Sequence, residues 1–249
     1  MSDMMTCMPF GQLMDWVLQE KKGQDTVFGV HRPYTINADH NLTIFERNLE
    51  TPVGPAAGPH TQLAQNIIAS YYAGARFFEL KTVQKMDGAE LSACVNKPCI
   101  LADDEGYNCE WSTELTVPDA MSEYIKAWFI LHVMAKEFNL GAQDGFQFNI
   151  SVGYDLEGIK GDKVNTFIDG MMEAKDTAVF QECKKWLLDN ADRFHNFTRE
   201  DIEAIPSNVC NSATISTLHG CPPQEIESIA NYLLTEKHLN TFVKCNPTL

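Results

Sequence analysis

Apolar positions along this chain alternate between helical and strand spacing, and the alternation outlines an architecture. Phe10, Leu13, Met14, Val17 and Leu18 recur at helical spacing behind Pro9, which suits a first turn, so residues 9–22 read as an amphipathic helix. Leu63, Ile67 and Tyr71, with Ala64, Ile68 and Tyr72, form a stripe at i, i+4 and i+8 that predicts a helix over 61–74, stopped by Gly74. A further helix begins near Pro118 and carries Met121, Tyr124, Ile125, Trp128, His132 and Ala135 on one face. Residues 163–204 read as two or three helical pieces broken near 190–198. Residues 224–238 place Ile226, Ile229, Ala230, Leu233 and Leu234 on one face, with Glu225 and Glu227 early and Lys237 late, as the helix macrodipole favours.

Strands fall between these helices. Thr51–His60 and Ala75–Val83 each read as a strand running into a turn, and Phe146–Val152 alternates apolar and polar at period two. Val209–Thr217 and Thr241–Asn246 complete five strands alternating with helices, the pattern of a parallel sheet or barrel. The fold expected is α/β, a (β/α)8 barrel with about five of its eight strands present. Residues 1–49 read as a helical lead-in and 50–249 as the N-terminal part of the barrel, with the remainder expected in a longer protein. Ligands of such folds sit at the C-terminal ends of the strands.

The totals narrow the function classes. A hydrophobic content of 44% with 21% charged residues is that of an ordinary globular protein, and 249 residues can bury a substantial core. A formal net charge of −15 excludes a general binder of nucleic acid or anionic membrane, while leaving room for a small anionic ligand at one local positive site. The N-terminus has neither the basic start nor the apolar run of a secretory signal, and no stretch of 18 apolar residues exists to span a bilayer. The eight cysteines form no Cys-x-x-Cys pair and the histidines no His-x-x-x-His pair, so neither a disulfide framework nor a metal site is expected. The compartment expected is the reducing cytoplasm.

Candidate chemistry gathers at the strand ends. Ala56, Ala57 and Gly58 make a small-residue turn whose amides a flat ligand can approach. Lys81 ends a mostly apolar strand, where its charge needs either Glu79 as an ion-pair partner or a ligand. Phe242, Lys244 and Asn246 share a face of the last strand; Lys244 either points into the barrel mouth or snorkels at a terminal strand. Asn149 and Ser151 face away from Phe148 and Ile150, lining a ligand or bonding within the barrel. Asn211, Ser212, Thr214, Ser216 and Thr217 give the fourth strand polar groups on both faces, which a buried strand must satisfy somewhere. Cys221 follows that strand either as a buried thiol or as a functional one, and nearby His219 is a second proton-transfer candidate. His60 reads as a surface histidine, and Asp103, Asp104, Glu105 and Glu110 as a solvated acidic loop beside Trp111.

The run LETPVGPAAGPHTQLAQNIIASYYAGARFFELKTVQ resembles the opening of the FMN barrel shared by dihydroorotate and dihydropyrimidine dehydrogenases. With DEGYNCEWSTEL, STLHGCPPQEIE and VKCNPTL, the resemblance narrows to the N-terminal region of the selenate reductase flavoprotein subunits of YgfK type and covers nearly the whole chain. It implies FMN across the strand C-termini, contacted by the Ala56–Gly58 turn, Lys81, Thr82, Asn149 and Lys244, the last in the family's Lys-x-x-Pro spacing. It implies that Cys221, followed by Pro222, is the acid/base, although the family's Asn three residues earlier falls on Leu218 here. Electrons or hydride would pass to or from a small-molecule substrate. Iron–sulfur clusters and a second flavin or NAD(P) site are implied in the missing C-terminal part, along with contacts to other oxidoreductase subunits. The alternative is a barrel that has lost its flavin and serves as a structural or docking subunit.

Overall fold

The computed structural model describes residues 6–34, 42–94, 115–216 and 221–245. His219, the acidic loop around Trp111, Asn246 and the ends of the last two predicted strands lie outside them. Strands β3 (Phe77–Glu79), β4 (Gln147–Val152), β5 (Cys210–Ile215) and β6 (Asn240–Val243) form one parallel sheet in that order. Neighbours in the sheet are successive in the chain, and each crossover is helical. Helix α2 (Ala64–Ala73) leads into β3; α3 (Gly88–Cys94) and α4 (Val117–Glu137) lie between β3 and β4. Helices α5 (Leu156–Lys160), α6 (Asp162–Met172), α7 (Ala178–Asp189) and α8 (Arg199–Ala204) lead to β5, and α9 (Pro223–Asn231) to β6. Ahead of them all, α1 (Phe10–Gln24) sends Phe10 edge-on against Phe129 and Trp186 and so joins the same core.

The sheet is curled. In a flat sheet β3 and β6 stand three steps of about 4.8 Å apart, with parallel side chains. Here the rings of Phe77 and Phe242 approach to 5.9 Å, and Glu79 Oε1 lies 2.8 Å from Lys244 Nζ. Helices cover the outer face, where Phe78, Phe148 and Trp128 pack edge-on beside Leu80, Ile150, Val152 and Ile215. Both faces of β4 are buried, so its period-two pattern separates a helix-facing side from an inner side rather than core from solvent. Helix α4 packs against α2, α6 and α7 and is buried from Glu123 to Ala135 without a break, a wider burial than the single stripe predicted. Its Glu123 is held there by Lys126 and by the Ala64 N–H, which it caps at 2.7 Å.

The first predicted strand, from Thr51, is not a strand. Pro52 and Pro55 lack the N–H groups a ladder needs, so the segment runs extended beside β3, and its backbone bonds to that strand are accepted by its carbonyls. Val53 O takes Arg76 N–H at 2.9 Å and Pro55 O takes Glu79 N–H at 3.2 Å. A Cβ on Gly54 would stand 1.5 Å from Phe77 O, so glycine is what permits this approach. Gly74 ends α2 at φ 119°, as its position suggested.

Within the lead-in the sequence concealed a hairpin, β1 (Leu42–Ile44) and β2 (Arg47–Leu49), which closes the N-terminal end of the curled sheet. Gln147 Nε2 donates to Ile44 O at 3.1 Å and Arg47 O at 3.0 Å, Asn211 Nδ2 to Phe45 O at 3.1 Å, and Phe45 packs on Phe242. Register between β4 and β5 shifts by one residue: Phe148 pairs with Cys210 but Ile150 with Ala213. This bulge explains the polar residues on both faces of the fourth strand, because side chains change face across it. Asn211 goes to the hairpin and Thr214 to the interior, while Cys210 Sγ accepts Ile150 N–H at 3.4 Å and lies 3.0 Å from Phe148 O.

Candidate active site at the strand C-termini

Past Glu79, β3 continues as an extended chain with one extra residue. Leu80 N–H bonds Asn149 O and Val83 N–H bonds Ser151 O, both at 2.9 Å, so three steps on one side match two on the other. The irregularity falls on Lys81 and Thr82. Lys81 is 3% exposed, with its carbonyl accepting from Tyr124 Oη at 3.3 Å, and Thr82 Oγ1 meets Ser151 Oγ at 2.8 Å. On the next two strands, Asn149 Nδ2 donates to Thr214 Oγ1 at 2.6 Å. That leaves Asn149 Oδ1 and Ser212 Oγ buried with no hydrogen-bond partner.

The small-residue turn is fixed by its own backbone. Gly58 O accepts from Thr61 N–H and from Thr61 Oγ1, both at 2.9 Å, and the chain passes into a 3₁₀ turn over Pro59–Thr61. Thus held, Ala57 directs its N–H to Glu79 Oε2 at 3.2 Å. The other carboxylate oxygen is the one beside Lys244, which sits just beyond β6 with its own N–H on Ile215 O at 3.2 Å. The turn, β3 and the residue just past β6 therefore meet at one carboxylate. Ala57 and Lys244 are brought together, and so are Thr82, Ser151, Asn149 and Thr214 through side-chain hydrogen bonds between neighbouring strands. Ala56 is exposed beside them.

Cys221 is half-buried in the loop between β5 and α9, at the same end of the sheet. His60 is exposed, in keeping with its reading as a surface residue. On the rim after β3 and β4, Lys85 pairs with Asp155 at 2.9 Å and lies 4.1 Å from the Tyr154 ring; the Asp155 hydrogen bond raises its pKa. Among the described residues no group of histidines, cysteines and carboxylates is arranged to hold a metal ion, and no helix is long and apolar enough to cross a membrane.

Glu79 is the residue that sequence reasoning undervalued. It was visible only as a local counter-ion for Lys81, because its partners Ala57 and Lys244 come from other elements. The donor set around it, one backbone amide and one ammonium, is chemically suited to an anionic or acceptor-rich edge, which the carboxylate itself supplies here.

A family model described as the N-terminal TIM-barrel domain of the oxidoreductase YgfK matches residues 28–249. The chain is 46% identical, over its whole length, to the proteins named "Putative oxidoreductase YgfK" in Escherichia coli strain K12 and in Escherichia coli O157:H7, and it spans 25% of their length. Among solved structures, the crystal structure of ligand-free type DHODH from Eimeria tenella overlays with a TM-score of 0.42 at 14% identity, covering 97% of this chain and 70% of that one.

Proposed function

The chain belongs to the family of YgfK N-terminal TIM-barrel domains, and from that premise we propose that it is the FMN-binding barrel of a longer flavin-dependent oxidoreductase. The observation that carries this reading is the chemistry of the inner face at the strand C-termini. A lysine (Lys244), a fixed backbone amide (Ala57) and a buried amide oxygen without a partner (Asn149 Oδ1) lie where such barrels hold their ligands, and the buried Lys81 is on the segment just past β3 at the same end of the sheet.

In this reading the Ala56–Gly58 turn lets the flat ring approach the backbone, and the Ala57 amide donates to it. Lys81 and Lys244 stabilise negative charge at the ring edge, and Thr82 and Asn149 orient it through the strand-to-strand bonds they already make. When bound, the flavin supplies the hydride or electron transfer; the protein supplies binding, orientation and electrostatics. Cys221 Sγ, or the His219 imidazole, holds the proton exchanged with a small-molecule substrate. Further redox centres, iron–sulfur clusters and a second flavin or NAD(P) site, belong to the remainder of the longer protein.

The test is the visible spectrum of the full-length protein carrying this domain. Absorbance bands near about 370 and 450 nm, with FMN released on denaturation, are expected of a flavoprotein. A protein in which Lys81→Met and Lys244→Met leave FMN content unchanged would place the flavin in another domain and overturn the reading.

A further inference from the structure

Glu79 occupies the donors on which the proposed ligand site depends. Its carboxylate takes the Ala57 amide through one oxygen and faces the Lys244 ammonium with the other, and it is 12% exposed, so it sits inside the curled sheet rather than on its rim. A ligand that seats its acceptor edge against the same amide and the same ammonium must displace it. We infer that Glu79 is an internal competitor for the flavin: it holds both donors in the ligand-free chain, yields them as the ring edge takes its place, and sets the affinity and charge preference of the site.

The inference rests on the flavin reading above and follows from the valence of the groups involved. Ala57 has one N–H to give, and an ammonium already bound to a carboxylate at 2.8 Å attracts a second anion far less than a free one does. Lys244 is 34% exposed on a long flexible side chain, whereas the Ala57 amide belongs to a turn held at Gly58 by the Thr61 hydrogen bonds. Exchange therefore begins at the lysine end.

The experiment is FMN titration of the apo form of the full-length protein, wild type against Glu79→Gln, together with the flavin midpoint potential. Glutamine keeps an oxygen for the Ala57 amide, so the turn holds while the charge leaves. FMN should bind about tenfold more tightly, because Lys244 is released to it. The potential should rise by about 30 mV, the equivalent of a tenfold preference for the anionic reduced ring in a two-electron couple. A merely structural carboxylate predicts the opposite sign: Glu79→Gln would bind FMN as weakly as the wild type or more weakly, and that result overturns the inference while leaving the flavin reading standing. A full-length protein that takes up no FMN in either form overturns both. Should Glu79→Gln not fold, Glu79→Asp, which keeps the charge but draws the carboxylate back from Lys244 and the Ala57 amide, should bind FMN more tightly than the wild type; equal or weaker binding overturns the inference.

Discussion

Replacing Arg76 by methionine should remove a large share of the stability of this chain without touching the proposed site. The guanidinium is fully buried below β3, at the opposite end of the sheet from Lys244. It donates to Glu50 Oε2, Tyr71 O, Ala75 O and Leu140 O, each at 2.9 Å, and stacks 4.0 Å from the Tyr71 ring centre. Methionine leaves Glu50, itself 8% exposed, with the Ala142 N–H but no counter-charge. Breaking a buried pair in that way costs about 3–5 kcal/mol. Buried carbonyls left without a donor cost about 1–3 kcal/mol each, although these penalties do not simply add. A loss of at least about 3 kcal/mol stands against the 5–15 kcal/mol typical of a whole domain. Equilibrium urea unfolding, followed by the fluorescence of the buried Trp128, measures it. Arg76→Lys should fall between, since a single ammonium cannot reach all four acceptors. Adding Glu50→Gln to Arg76→Met should restore part of the loss by removing the stranded charge. An Arg76→Met chain within about 1 kcal/mol of wild type would refute this account of the pair.

Other outcomes follow from single groups. Burial, and secondarily the Arg47 charge, pushes His132 down to about 3 where it packs on Trp128 and Phe146, so the unfolded chain gains a proton near about 6.5 that the folded chain refuses. Stability from this group is therefore complete above about pH 6.5 and falls by up to about 1.4 kcal/mol per unit as the pH drops towards 3; unfolding measured across that range should show a shallower slope for His132→Phe, and an unaltered slope counts against it. Lys81→Met in the full-length protein should lower the flavin midpoint potential as well as weaken binding, whereas an unchanged potential with a lowered melting temperature would make Lys81 purely structural. Cys221→Ser or His219→Ala should slow turnover by about a hundredfold to ten-thousandfold, whichever is the acid/base; less than about tenfold for both, with flavin retained, removes this loop from proton transfer.

The helices and parallel strands were legible because their signals are local. Stripes such as Leu63–Ile67–Tyr71 and the period-two run into β4 depend only on residues a turn or a pleat apart. What stayed hidden needed a partner from elsewhere. The β1–β2 hairpin is three residues a side with mixed polarity, and it is stabilised by Gln147 and Asn211 from the sheet it plugs rather than by its own pattern. The first strand was misread for a local reason that the sequence did contain: two prolines in four residues forbid the ladder, whatever the neighbouring motif suggests. At the site, the small-residue turn and the lysines could be named from their types, but not the fact that Glu79 joins Ala57 to Lys244 across the barrel interior.

The inner face is lined with polar residues, each of which must find a partner there. Side chains there carry oxygen or nitrogen in a layer that simple burial would fill with aliphatic groups, and the kind of partner they find changes from one end of the strands to the other. At the N-terminal end Gln147 and Asn211 give their hydrogens to hairpin carbonyls, a permanent backbone arrangement. In the middle Asn149 bonds Thr214 and still has a buried oxygen to spare, and Ser212 Oγ is buried without a partner. At the C-terminal end Glu79 holds an ammonium and an amide through contacts that a competing acceptor can replace. Each unsatisfied buried polar atom costs about 1–3 kcal/mol, and the orphaned oxygens run along the inner face from Gln147 Oε1 and Asn211 Oδ1 at the hairpin end to Asn149 Oδ1 nearer the mouth. A ligand that presents acceptors to the amide and the lysine, and a donor to the spare Asn149 oxygen, would remove the Asn149 share of that penalty, so the fold would gain stability by binding it. Melting temperature should therefore rise with FMN in the wild type and rise less in Asn149→Leu, where the spare acceptor is gone; an equal rise in both would mean that Asn149 faces no part of the ligand.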